Sequence, residues 1–291
     1  MNRSLAFIGA LVAAGVAVSS ACFAEAPEPI RFTLETQRGD PAKIHASFQH
    51  QGQRDNDDRW STGLMPSDLI GLEVSSFHAP GTRAVHFAVV REPGRLDCTG
   101  SGGGGFAAGT CRFSENEAFM QLLTNNGIGR PTYDQALGLM AVNTHGELIR
   151  AMAAAHYPTP RIGDLMALSA LGVDGRYITE MSRAGYRPQT VQKLIEFKAL
   201  GITPLWIAGF VRVGYANVPG DGLVQMRALG ITPDYIERFQ RIGYRTLPVS
   251  TLVQLKALDI TPDFVRSIAR EGEPIPPVSK LVELKVFAKR H

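Results

Sequence analysis

Cysteine is scarce, with three in 291 residues, and that excludes a disulfide-dense scaffold. No Cys-x-x-Cys pair and no His-Glu-x-x-His segment occurs, so the common zinc spacings are missing. No Gly-x-Ser-x-Gly elbow is present, and no Gly-Lys-Ser/Thr follows the one glycine run, Gly102-Gly103-Gly104-Gly105. Without that context the run reads as a hairpin tip, not a phosphate loop. Asp55-Asn56-Asp57-Asp58 lacks the glycine at the sixth position and the glutamate at the twelfth of a calcium loop, so it reads as a solvated acidic turn. The histidines are scattered, and His45 and His86 sit inside strand-like stretches. No catalytic, metal-ligating or cofactor-binding set emerges, and the chain is expected to be non-enzymatic and cofactor-free. With 44% hydrophobic and 20% charged residues, a mainly disordered, collagen-like or polytopic membrane chain is excluded as well.

The first 24 residues read as a secretory signal. Arg3 gives a positive start, Leu5 to Val18 form an apolar stretch, and Cys22-Phe23-Ala24 supplies small residues for cleavage after Ala24. An uncut anchor is one alternative, although fourteen apolar residues fall short of the about 20 that a span needs. A lipoprotein signal acylated at Cys22 is another, but Ser19-Ser20-Ala21 lacks the leucine-like residue three positions before the cysteine. Cleavage leaves Cys98 and Cys111. An even pair in an oxidising compartment predicts a disulfide at the base of a glycine-tipped hairpin. The expected address is periplasmic or secreted, with no stable membrane span after cleavage.

Two kinds of pattern divide the mature chain. Ile30 to Leu34, Lys43 to Phe48, Trp60 to Leu64 and Ala84 to Val90 are short strand-like runs, separated by Gly, Pro, Asp and Asn clusters. They predict a small antiparallel β domain over residues 25–115, folded as a sandwich or partial barrel. From Glu115 onward a repeat takes over. Ala170-Leu171-Gly172 returns as Ala199-Leu200-Gly201, Ala228-Leu229-Gly230 and Ala257-Leu258-Asp259, 29 residues apart each time. Gly185-Tyr186, Gly214-Tyr215 and Gly243-Tyr244 keep that period, as do Leu165, Leu194, Leu223, Leu252 and Leu281. A period in this range means a solenoid or array.

Each unit spells two short helices. The first ends at a left-handed glycine cap followed by Val or Ile. Thr-Pro then opens the second, with Thr as N-cap and Pro at the first helical position. Arg130 to Tyr157 reads as a degenerate unit, and the helix from Val278 as a terminal half unit. The fold class is therefore α+β: a small antiparallel β domain, then an α-solenoid of two-helix repeats over residues 116–291.

Three columns in the repeats are candidates for function. Tyr177, Trp206, Tyr235 and Phe264 occupy one position of the second helix and are expected to form the inter-repeat core, because each unit must bury such a face. Lys198, Arg227, Lys256 and Lys285 fall in the last turn of the first helix, and Arg183, Arg212, Arg241 and Arg270 in the last turn of the second. The eight are candidate contacts for an anionic partner. Cations also answer the macrodipole at helix C-termini, and antiparallel helices would split them into two stripes. No nucleic-acid partner is expected. The repeat half is basic and the half before it acidic, which favours docking between the halves or between neighbouring molecules.

Residues 223–244, Leu-Val-Gln-Met-Arg-Ala-Leu-Gly-Ile-Thr-Pro-Asp-Tyr-Ile-Glu-Arg-Phe-Gln-Arg-Ile-Gly-Tyr, resemble bacterial extracytoplasmic repeats associated with antirepressor-type sensor metallopeptidases of the beta-lactam-sensing group. The resemblance covers about residues 130–291, with weaker likeness at 60–72 and 113–119. The peptidase domain has no counterpart here, so no catalytic residue carries over. The expected function is an exported binding or scaffold protein of the bacterial cell envelope, meeting a protein partner through its repeats. The alternative is a sensor accessory whose β domain holds a small-molecule ligand. A hydrolase built from His and Asp of the β region is a third reading.

Overall fold

Alternating side chains and tight turns build six strands in the first half. The computed structural model describes residues 29–40, 42–51, 57–186, 188, 190–269 and 274–288. The leader, the turn residues Asp55 and Asn56, and Arg270 lie outside these described residues. The strands are β1 (Ile30–Thr36), β2 (Ile44–Gln51), β3 (Asp57–Leu64), β4 (Arg83–Arg91), β5 (Gly94–Gly103) and β6 (Phe106–Glu115). They form one antiparallel sheet in the order β3-β2-β1-β6-β5-β4. Two three-stranded meanders are thus joined by the pairing of β1 with β6. This corrects the expected sandwich or partial barrel. No second sheet faces the first among the described residues, and β3 and β4 are unpaired with one another at opposite edges. A helical layer takes the place of the second sheet, covering an inner face that carries Phe32, Phe48, Phe87 and Leu96.

Cys98 and Cys111 are bonded and lie directly opposite one another. They sit in the middle of the β5–β6 hairpin, because the ladder runs on from them to Gly94 and Glu115. The expected position at the base is corrected accordingly. Of the glycine run, only Gly104 and Gly105 form the turn, both at positive φ. Gly103 ends β5, where a side chain would collide with the Gly81 carbonyl at 1.9 Å. The short helix α1 (Val74–His78) holds this tip: Gly105 N–H donates to the Phe77 carbonyl at 2.9 Å and Gly104 N–H to Ala79 at 2.8 Å.

The rest is helical: α2 (Glu117–Asn125), α3 (Tyr133–Ala141), α4 (Gly146–Ala154), α5 (Ile162–Ala170), α6 (Gly175–Arg183), α7 (Val191–Ala199), α8 (Pro204–Arg212), α9 (Gly220–Ala228), α10 (Pro233–Arg241), α11 (Val249–Ala257), α12 (Pro262–Ile268) and α13 (Val278–Ala288). Even-numbered helices begin at 117, 146, 175, 204, 233 and 262, and odd ones from α3 at 133, 162, 191, 220, 249 and 278. The 29-residue spacing therefore holds through the degenerate units too.

Local chemistry sets these boundaries. Thr203, Thr232 and Thr261 hydroxyls accept the N–H groups of Trp206, Tyr235 and Phe264 at 3.1, 3.1 and 3.2 Å, satisfying donors that a helix start leaves orphaned. Asn143, Gly172, Gly201, Gly230 and Asp259 all close the first helix of a unit at positive φ. The next N–H then reaches back, as from Ile202 to the Phe197 carbonyl at 2.8 Å, in the manner of a Schellman cap.

Nine-residue helices are marginal alone. Here even helices stack on even and odd on odd, and each layer buries one stripe. Leu165, Leu194, Leu223, Leu252 and Leu281 are all 0% exposed, a burial worth about 1.5–3 kcal/mol for each. Within a unit the chain turns by 80° between α7 and α8. Only Gly201 and Ile202 separate C-cap Leu200 from N-cap Thr203, so the caps form a corner and not the antiparallel pair expected. Among the described residues no single helix is long and apolar enough to cross a membrane.

Candidate functional site

The two cation columns have different surroundings. The side chains from the last turn of α7, α9, α11 and α13 lie over the aromatic column of the preceding even helices. Lys198 Nζ is 4.7 Å from the Tyr177 ring centre, the Arg227 guanidinium 5.5 Å from Trp206, Lys256 Nζ 5.0 Å from Tyr235 and Lys285 Nζ 4.8 Å from Phe264. Each contact joins one unit to the next by attraction between cation and ring face. Arg227 Nε also donates to the Leu200 carbonyl at 2.7 Å. This column is engaged within the protein.

The aromatic column itself lines the margin of the inter-repeat core. Tyr177 is buried, while Trp206, Tyr235 and Phe264 are half-buried. The fully enclosed side chains stand one residue further along, at Ile178, Ile207, Ile236 and Val265. The Tyr177 hydroxyl donates to the Ile202 carbonyl at 2.7 Å and that of Tyr235 to Ile260 at 3.2 Å. Burial pushes both phenols well above their ordinary value.

The second column faces outward. Arg183, Arg212 and Arg241 are exposed. Arg241 approaches Asp234 at 3.8 Å, whereas Arg183 and Arg212 form no ion pair among the described residues. Arg270 lies outside those residues. Of the eight candidate cations, four stack on rings and three line the open surface of the even-helix layer.

Two sets of residues escape sequence reasoning. The first is the tyrosine of each Gly-Tyr pair. Tyr215 Oη accepts Leu247 N–H at 3.0 Å and donates to the Leu247 carbonyl at 2.6 Å. Tyr186 Oη accepts Val218 N–H at 3.0 Å, and Tyr244 donates to Pro276. Each fastens one unit to the loop of the next. Its period was legible, but its hydroxyl's partner lies a whole unit away.

The second set joins sheet and helices. Arg91, at the end of β4, donates to the Met140 and Ala141 carbonyls at 2.7 and 2.8 Å, capping the C-terminal end of α3. Burial lowers its pKa, with Asp68 acting in the opposite sense. Glu92 accepts Gly146 N–H at 2.8 Å and lies 3.0 Å from His145 Nδ1, capping the start of α4. Partial burial works to raise the Glu92 carboxyl, but the Gly146 N–H and the His145 ring outweigh it and hold it below the ordinary carboxylate value. Buried His50 lies 3.4 Å from Asp134 and against the Tyr133 ring. Continued alternation past Phe48 was the one signal for His50. His45 is 3.5 Å from Ser47 Oγ, and His86 is exposed in β4.

Between β4 and the first full unit lies a cleft of about 640 Å³, lined by Ser67, Asp68, Ile70, Val90, Arg91 and His145 among others. Ile70 and Val90 expose apolar surface there. Among the described residues no group of three or more His, Cys, Asp or Glu side chains is gathered where it could hold a metal ion. No family model matches the chain, and no curated protein or solved structure matches it.

Proposed function

We propose that the chain is an exported, non-enzymatic binding or scaffold protein of the bacterial cell envelope, meeting a protein partner through its helical repeats. One observation carries this reading. Along the even helices the buried positions hardly change, as in Ile149, Ile178, Ile207 and Ile236, while an exposed position two residues earlier runs Glu147, Arg176, Leu205, Asp234. A constant core with a varied outer row is how stacked repeats offer an extended, locally distinct surface. The disulfide supports an oxidising compartment, as do the signal-like first 24 residues.

In-cell crosslinking with an envelope-wide pulldown tests the reading. A specific protein partner, recovered with a mature chain that starts at Glu25, is expected. Recovery of no specific partner, or an intact Met1, contradicts it.

The cleft between β4 and the first full unit favours a second reading, a ligand-sensing accessory of a membrane sensor or peptidase system. Pockets where two regions meet, with apolar walls and a few polar groups, suit small ligands. A bound small molecule would raise the melting temperature, and Val90→Arg would abolish the rise. An undiminished rise in Val90→Arg contradicts a ligand in this cleft.

A further inference from the structure

The repeats carry their own control for what an exposed helix face should look like. In α6, α10 and α12 the second helical residue is Arg176, Asp234 or Asp263; in α8 it is Leu205, which is 78% exposed. The fifth is Thr179, Glu237 or Arg266 in those helices and Ala208 in α8. The eighth is Ser182 in α6 and Gln240 in α10, but Val211 in α8, 47% exposed. Leu205, Ala208 and Val211 follow one another at a spacing of three, so they share one side of the helix. The opposite side is already filled, with Ile207 and Phe210 at 1% and 0% exposure. The apolar stripe is therefore surplus to the core, and an apolar patch with a polar rim marks an interaction site.

The rim specifies the partner's charge. Arg176 is paired with Glu180 at 2.7 Å and Arg238 with Asp234 at 2.8 Å, each within its own helix. Arg183 and Arg212, at the C-terminal ends of α6 and α8, are exposed and form no ion pair among the described residues. Stacked neighbours lie about 8–10 Å apart, within reach of one short peptide. We propose that the outer face of α8 docks a protein segment that pairs a bulky apolar residue with neighbouring Asp or Glu. The apolar residue sits on Leu205 and Val211, and the carboxylates meet Arg183 and Arg212. This rests on the repeat-binding reading and names its site and the chemistry of its partner.

A displayed library of random twelve-residue peptides, selected on the full chain, tests it. Enriched peptides are then synthesised and measured by fluorescence anisotropy. The comparison variant is Leu205→Asp, which the fold tolerates by its own precedent, since Asp234 and Asp263 occupy this position in α10 and α12. Arg183→Glu with Arg212→Glu is the second variant, and circular dichroism confirms that both keep their helices. The expected result is enrichment of peptides joining Leu, Ile, Phe or Trp to acidic residues, with binding weakened at least about ten-fold by either variant. Enriched peptides that bind Leu205→Asp undiminished overturn the site, as does a failure to enrich any. A concentration-dependent dimer lost in Leu205→Asp overturns the occupant in favour of a second copy. Uptake onto neutral lipid vesicles lost in the same variant overturns it in favour of a membrane surface. Envelope crosslinking separates this proposal from the broader one. A partner retained equally by wild type and Leu205→Asp sinks the α8 site alone, and no partner from either sinks the repeat-binding reading.

Discussion

In the sheet, contacts join residues far apart in the chain. Thr36 reaches Gly105 across a separation of 69 residues, and β1 is completed only when β6 arrives. In the repeats the bonds between units span one period or slightly more or less: Tyr177 to Ile202 across 25 residues and Tyr215 to Leu247 across 32. The same chain therefore holds two kinds of cooperativity. No strand of the sheet is stable until all are in register, whereas the stability of a stack approximates a sum of intrinsic and neighbour terms. The two tryptophans report the halves separately, since Trp60 stacks on Phe48 in the sheet and Trp206 lies in α8.

The largest separable effect belongs to the repeat core. Phe239 is 0% exposed, and Phe239→Ala is expected to cost about 3–5 kcal/mol. The loss should appear in urea melts followed by Trp206 and leave the Trp60 transition nearly in place. Equal shifts in both would show that the halves unfold as one. Next comes the disulfide. Replacing Cys98 and Cys111 together with Ser should cost about 2–4 kcal/mol, read at Trp60. A larger loss at Trp206 than at Trp60 would reverse the assignment.

These predictions depend on parts of the fold that differed in how far they could be read. The repeats were legible because their punctuation is local: Thr-Pro opens a helix and Ala-Leu-Gly closes one within a few residues. The strands were legible as alternations, but their order was not, because nothing in Ile30 to Leu34 states that its neighbours are β2 and β6. The 80° corner was missed because cap residues mark where a helix ends and not the direction the chain takes next. The Arg91 and Glu92 contacts with α3 and α4 were missed since they span 49 to 54 residues. The outward arginines were named correctly by position, but the sequence could not say that the partner column was stacked on rings.

A smaller effect tests the left-handed caps. His156 occupies, at φ 55, the position that Gly127, Gly185, Gly214 and Gly243 fill in other units. His156→Gly should stabilise the repeats by up to about 1 kcal/mol, since a non-glycine residue is strained there. A destabilised variant would contradict the cap assignment.

The last difference is silent at neutral pH. All seven tyrosines lie at or beyond Tyr133, and burial raises the phenols of Tyr177, Tyr186, Tyr215, Tyr235 and Tyr244. A group whose folded pKa is raised gives its full stabilisation below the unfolded value, here about 10, and loses it as pH rises through the folded value. Alkali should therefore loosen the repeats before the sheet, with Trp206 responding ahead of Trp60. The opposite order would contradict it.

The most direct test is a pair of deletions. Removing residues 191–219, one full period, joins Thr190 to Gly220 and keeps every cap in register. Removing residues 191–204, about half a period, does not. Helical ellipticity per residue and a cooperative melt should survive the first deletion and collapse in the second. If both deletions fold equally well, or both fail, the helices are not a stack of interchangeable units.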